Sequence, residues 1–237
     1  MAQEYGPKIV TDGLVGHWDT ADKNSYPGSG TTLTDLSGNG YNGTLTTAAI
    51  CTDEVGVMTF APHRSIDFGS LGTSGEYSQS TISLWWLKQA QTDSYGNLFD
   101  CNYDITAVNK GPRFEVALAE TYVGVYLASD DGDYGGVNGG TGLSSDVWYN
   151  SSLTFTTDPG VSQTSISYLN GVYNNTAGTI NSDYIWDGDI GALSLGRGFT
   201  SARYFTGKIA NFQIYNRTLT AKEVSQNFNA QRSRFGV

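Results

Sequence analysis

Short runs in which apolar residues alternate with polar or small ones recur along most of this chain. Val57–Phe60, Ser65–Phe68 and Thr81–Leu87 follow a two-residue period, which predicts strands that lay one face on a core. In the third run Ile82, Leu84 and Trp86 point together into that core, so Trp85, of opposite parity, is expected to be exposed. The pattern returns in Arg113–Leu118, Tyr122–Leu127, Trp148–Phe155 and Ser165–Leu169. Asn170-Gly171 directly before Val172-Tyr173 predicts a two-residue hairpin, because both turn positions tolerate positive φ. Tyr26–Gly30 and Leu36–Gly43, dense in Gly, Asn and Ser, predict a long ordered loop region. Ser129–Ser145, rich in glycine and acids and poor in apolar residues, predicts an exposed loop. A single segment looks helical: Thr220 and Glu223 have capping-box spacing, Leu219 can staple onto Val224, and Phe228 extends the apolar stripe. The expectation is an all-β chain of many strands and turns with one short C-terminal helix.

Composition narrows the function classes. The chain has 237 residues, 13% aromatic and only 15% charged, enough for one β-rich domain with a sizeable core. A net charge of -10 without any cluster of Lys and Arg argues against nucleic acid as a partner. No apolar run is long enough to span a bilayer, and the start, Met1–Val10, lacks the features of a signal peptide, so neither membrane insertion nor export by the usual route is expected. Cys51 and Cys101 are too few for a disulfide scaffold or a zinc site and are read as free thiols. The sequons at Asn42, Asn150, Asn174 and Asn216 are read as chance matches in an Asn- and Thr-rich chain. The expected boundaries are a tail at 1–12, one domain at 13–230 and a tail at 231–237.

Several landmarks occur in a familiar order: Gly13–Trp18, Asp35–Leu45, Thr81–Trp85, Trp148-Tyr149, Tyr168–Val172, and Phe205–Val224. Together they resemble concanavalin A-like, laminin-G-like domains, which implies a two-sheet antiparallel jelly-roll sandwich. Within that family, Tyr26–Thr32 and the ending Gln226–Gly236 are similar to structural proteins of tailed phages, marine cyanophages especially. That resemblance implies a virion location on the particle surface, with other virion proteins and the chain itself, as a homo-oligomer, for partners.

The resemblance also implies a structural calcium where the Asp35–Gly43 loop meets the closing strand, with Asp35, Asn39 and Asn211 as ligands. Ala210-Asn211 stands where the family often carries two aspartates, which lowers the charge of such a site; Asx-turns that cap the loop's own backbone explain the same residues. Asp130, Asp131 and Asp133 read as a solvated loop tip rather than a metal site. Tyr184, Trp186 and Asp187, with Asp183 and Asp189, form either a sugar platform, together with the exposed Trp85, or a loop closing over the core.

No catalytic constellation is apparent. Glu115 and Glu120 are five apart and face opposite ways, whereas a retaining glycosidase needs carboxyls about 5 Å apart. His17 and His63 are the histidines available as a base; neither stands in a nucleophile elbow, and His17 reads as a strand residue beside Trp18. The expectation is therefore not an enzyme but a non-enzymatic virion structural protein, a capsid decoration or fibre component; the alternative is a carbohydrate-binding module that meets a host-surface glycan.

Overall fold

The computed structural model describes residues 7–46, 56–72, 78–90, 95–101, 111–117, 123–128, 134–156, 163–180, 192–198 and 203–237. Within them the alternating runs become strands β1 (Leu14–Asp19), β2 (Thr32–Leu33), β3 (Gly43–Leu45), β4 (Met58–Phe60), β5 (Ile66–Ser70), β6 (Gln79–Lys88), β7 (Tyr95–Cys101) and β8 (Gly111–Ala117). The second half adds β9 (Val123–Ala128), β10 (Tyr134–Asn138), β11 (Trp148–Thr156), β12 (Gln163–Leu169), β13 (Val172–Ile180), β14 (Ala192–Leu195), β15 (Gly207–Tyr215) and helix α1 (Ala221–Phe235).

These strands form two antiparallel sheets, as expected. One runs β1-β15-β6-β11-β12-β13, with β4 also paired to β15; the other runs β10-β9-β8-β7-β14-β5-β3-β2. Their facing sides enclose the main core, where Ile82, Leu84 and Trp86 of β6 meet Leu153 and Phe155 of β11 and Phe212 and Ile214 of β15. Trp18 stacks on Phe212 with ring centres 5.3 Å apart and tilts against Phe68 at 4.5 Å. This is the period-two prediction realised: residues of one parity on each strand share one dry layer.

The hairpin between β12 and β13 turns at Asn170 (φ 50°) and Gly171 (φ 74°), the left-handed geometry of the tight turn anticipated there. A Cβ at Gly171 would also lie 2.7 Å from Cβ of Phe228, so the position excludes a side chain on two grounds.

Helix α1 begins as its sequence dictates. Thr220 Oγ1 accepts from Glu223 N–H, and Glu223 Oε2 accepts from Thr220 N–H at 2.8 Å, which completes the capping box. It ends at Gly236, whose φ of 72° closes the last turn.

Four expectations change. Residues 231–235, assigned to a tail, are the last turn of α1, because Phe235 finds an aromatic pocket on the sheet. The amino-terminal tail is pinned at Val10, which is buried and donates its N–H to Asn227 Oδ1 at 2.8 Å. The expected exposed loop at Ser129–Ser145 contains β10, which pairs Gly136 with Tyr126 and Val137 with Val125 of β9. Backbone pairing, rather than an apolar period, makes that strand. Finally, Trp85 is 1% exposed. Its parity does point away from the main core, but α1 packs across that outer face and encloses the ring between Phe228 at 5.4 Å and Phe235 at 4.1 Å, both stacked.

Candidate functional site

The outer face of the β1–β13 sheet is unusually polar. Register places Thr81, Ser83 and Trp85 of β6 beside Thr154, Ser152 and Asn150 of β11. Most of this face lies under α1. Ser152 Oγ donates to Ser83 Oγ at 2.8 Å, and Asn150 Nδ2 donates to the Leu84 carbonyl at 3.2 Å. Tyr215 Oη donates to the Val10 carbonyl at 3.0 Å and accepts from Asn227 Nδ2 at 3.0 Å, which ties sheet, helix and amino-terminal strap together. Burial drives the Tyr215 phenol well above its ordinary range, so it remains a neutral donor. Among the described residues the Trp85 indole N–H has no hydrogen-bond partner, so stacking carries that ring's burial.

One part of the face stays open. Where α1 ends its cover, a groove of about 340 Å³ lies between β11–β12 and the β15–α1 turn. Thr154, Thr156, Thr164, Tyr168, Thr218 and Thr220 line it, together with the apolar Ile166 and Leu219. The turn is fixed to the sheet: Thr81 Oγ1 donates to the Arg217 carbonyl at 2.8 Å and accepts from Leu219 N–H at 2.8 Å. Beside the groove, Tyr173 pairs across the hairpin with Tyr168, their rings edge to face at 6.4 Å, and is 57% exposed.

The Asp35 loop is a different kind of structure. Asp35 is buried, and its Oδ1 accepts from the N–H groups of His17 at 3.0 Å and Ser37 at 2.8 Å. Its Oδ2 accepts from Ser37 Oγ at 2.7 Å and Tyr41 N–H at 3.2 Å. Four donors use the roughly four acceptor positions of a carboxylate. Asn39 turns its amide Nδ2 to the Val15 carbonyl at 2.8 Å, and Asn211 Nδ2 donates to Asp19 Oδ2 at 3.0 Å. In this structure Asp35, Asn39 and Asn211 each serve protein partners, which is the self-capping alternative of the two sequence readings. Among the described residues, no three His, Cys, Asp or Glu side chains gather at one point.

Asp19 also accepts from Arg234 of α1, at 2.6 Å, so it serves as a latch for the helix end. His17 Nε2 lies 3.2 Å from Asn211 Nδ2. Burial lowers the pKa of His17 below its ordinary 6.5, against the pull of Asp19, Asp35 and Asp22. His63 is exposed, held at φ 64°, and packs on Tyr204 at 4.8 Å. Asp67 is raised by burial, against the effect of Arg197 at 2.9 Å.

The sugar platform anticipated from sequence is not assembled around Trp85, which α1 covers; Tyr184, Trp186 and Asp187, like Asp183 and Asp189, lie outside the described residues. So do Cys51, Glu120 and Asp130–Asp133, whereas Cys101 is buried at the end of β7. Sequence reasoning missed the groove. Its signal was present as Thr154, Thr156, Thr164 and Ile166 on one strand parity, opposite the core-facing Leu153 and Phe155, but nothing in that pattern said where α1 would lie across the sheet.

The sequence profile described as the concanavalin A-like lectin/glucanases superfamily matches residues 64–225. No curated protein matches the chain. Among solved structures, the fold resembles the receptor-binding domain of botulinum neurotoxin C/D mosaic serotype, with a TM-score of 0.69 at 14% identity over 94% of this chain and 52% of that one. The binding domain of botulinum neurotoxin DC in complex with SialylT aligns at TM-score 0.63 and 14% identity, over 93% of this chain and 52% of that one. The same domain in complex with rat synaptotagmin II aligns at 0.62 and 15%, with the same coverage. This chain spans about half the length of each, and at such identity the likeness is one of fold.

Proposed function

The chain belongs to the concanavalin A-like lectin/glucanases superfamily, and from that premise we propose that it is a non-enzymatic surface component of a tailed-phage virion, a fibre or capsid-decoration protein that recognises carbohydrate. The observation that carries the non-enzymatic reading is the engagement of four acids among the described residues. Asp35 holds its own loop, Asp19 the end of α1, Asp67 the guanidinium of Arg197, and Glu223 the helix start and Arg217. Each is committed to a structural partner, whereas glycoside cleavage needs two carboxyls facing one bond.

The particle location is supported by the resemblance of Tyr26–Thr32 and Gln226–Gly236 to tailed-phage structural proteins. Carbohydrate recognition is supported by the open hydroxyl-lined groove and by structural likeness to receptor-binding domains, one of them in complex with SialylT. Two measurements test the reading together. Mass spectrometry of purified particles should find this chain as a stoichiometric component, and the purified chain should bind at least one glycan class on an array while releasing no product from it. Absence from particles removes the virion role; product release removes the non-enzymatic one.

A further inference from the structure

We propose that the groove between β11–β12 and the β15–α1 turn is a binding site for a neutral sugar residue of a glycan, with Tyr173 as its stacking platform. The proposal rests on the reading of the chain as a carbohydrate-recognising module and supplies the place and the ligand class.

The lining has the chemistry of the ligand. Thr156, Thr164 and Thr218 bring hydroxyls that both donate and accept, as sugar hydroxyls do, and among the described residues no charged side chain lines the groove. Ile166 and Leu219 add the apolar strip that the C–H face of a pyranose ring requires. A volume of about 340 Å³ falls in the range of small-ligand pockets, roughly 300–1,000 Å³.

Tyr173 is the second observation. The large rings of Trp18, Trp85 and Trp86 are each almost wholly buried, whereas Tyr173 is 57% exposed on an ordered hairpin beside the groove. Its edge-to-face contact with Tyr168, which itself lines the groove, sets the ring's orientation before any ligand arrives. Both walls are equally preset. One is a regular antiparallel ladder that pairs Thr154 with Ile166 and Thr156 with Thr164. The other is the turn held by Thr81 and by the capping box.

Charge selects the class. The protein carries a net charge of -10, and Arg217 of the turn is engaged by Glu223 at 2.7 Å. Sialylated, uronic or sulfated sugars would meet an acidic molecule with no cation among the described lining residues, so the site suits neutral hexoses and N-acetylhexosamines.

The experiment is an array of neutral, sialylated and sulfated oligosaccharides, followed by calorimetric titration of the strongest neutral binder. Wild type, Tyr173→Ala, Tyr173→Phe and the double variant Thr156→Val/Thr164→Val are compared, with melting temperatures recorded for each. Tyr173→Ala and the threonine double variant should each weaken binding about 10-fold, or about 1.4 kcal/mol, with unchanged melting, as lost stacking or hydroxyl bonding would. Tyr173→Phe should retain most of the affinity. Glycan binding by wild type that survives undiminished in both variants overturns the site but leaves the carbohydrate reading intact. Silence of wild type across the array overturns that reading and the site with it. A preference for acidic glycans overturns the ligand class.

Discussion

Replacing Phe235 by Ala tests whether the end of α1 belongs to the folded unit. The ring is 9% exposed, stacks on Trp85 with centres 4.1 Å apart, tilts against Trp148 at 4.8 Å and has the Arg234 guanidinium 4.9 Å from its centre. Truncating a buried Phe costs about 3–5 kcal/mol, and a site near the chain end relaxes more readily than a closed core, which favours the lower figure. In a chain of this size about 3 kcal/mol corresponds to a melting shift of roughly 6–12 °C downward. Thermal unfolding followed by circular dichroism measures the shift. Tryptophan emission should move to the red in the folded variant, because Trp85 loses one of its two covers. Ser233→Ala, exposed on the same turn, is the control and should fall within about 0.5 kcal/mol of wild type. A Phe235→Ala protein that melts with the control would refute the assignment of residues 231–235 to the packed helix.

Glu223 is held near pKa about 2 by hydrogen bonds from Arg217 and from the Thr220 backbone, against an ordinary 4.5. Because the folded value is the lower one, the stabilisation is present above pH 4.5 and is lost as pH falls toward 2; Glu223→Gln should flatten the stability–pH curve in that window, and an unchanged acid limb would sink the assignment. With both Asp35 oxygens engaged by its own loop, melting curves in calcium and in chelator should coincide. A calcium-dependent rise, lost in Asp35→Ala, would place an ion in that loop after all. Gly171→Ala, which combines a left-handed φ with a 2.7 Å approach to Phe228, should lower stability by at least about 1 kcal/mol in denaturant titration, and a neutral result would contradict the turn geometry.

Legibility from the sequence tracked locality. The strands around Thr81–Leu87 and Trp148–Phe155, the Asn170-Gly171 turn and the capped start of α1 each depend on residues within a few positions of one another, and the structure forms all of them. The strands β7, β10 and β14 escaped notice. The glycines of Tyr134–Asn138 show no alternation, and β14 is only four residues long, so long-range backbone pairing gives each its place. The Asp35 loop was legible as a choice between an ion site and Asx-turns, and only the direction of its hydrogen bonds favours self-capping.

Trp85 shows where the division lies. By itself the sequence determined that this ring faces away from Trp86, since neighbours on a strand take opposite sides. Which environment awaits on the other side was decided by α1, whose Phe228 and Phe235 arrive from more than 140 positions downstream. The groove has the same origin: its threonines follow from strand parity, but it exists because the helix starts at Ala221 and leaves that corner of the sheet open. Parity and capping are contacts between near neighbours and can be read along the chain, whereas the cover over a sheet face is a contact between distant segments, settled by how two finished surfaces pack.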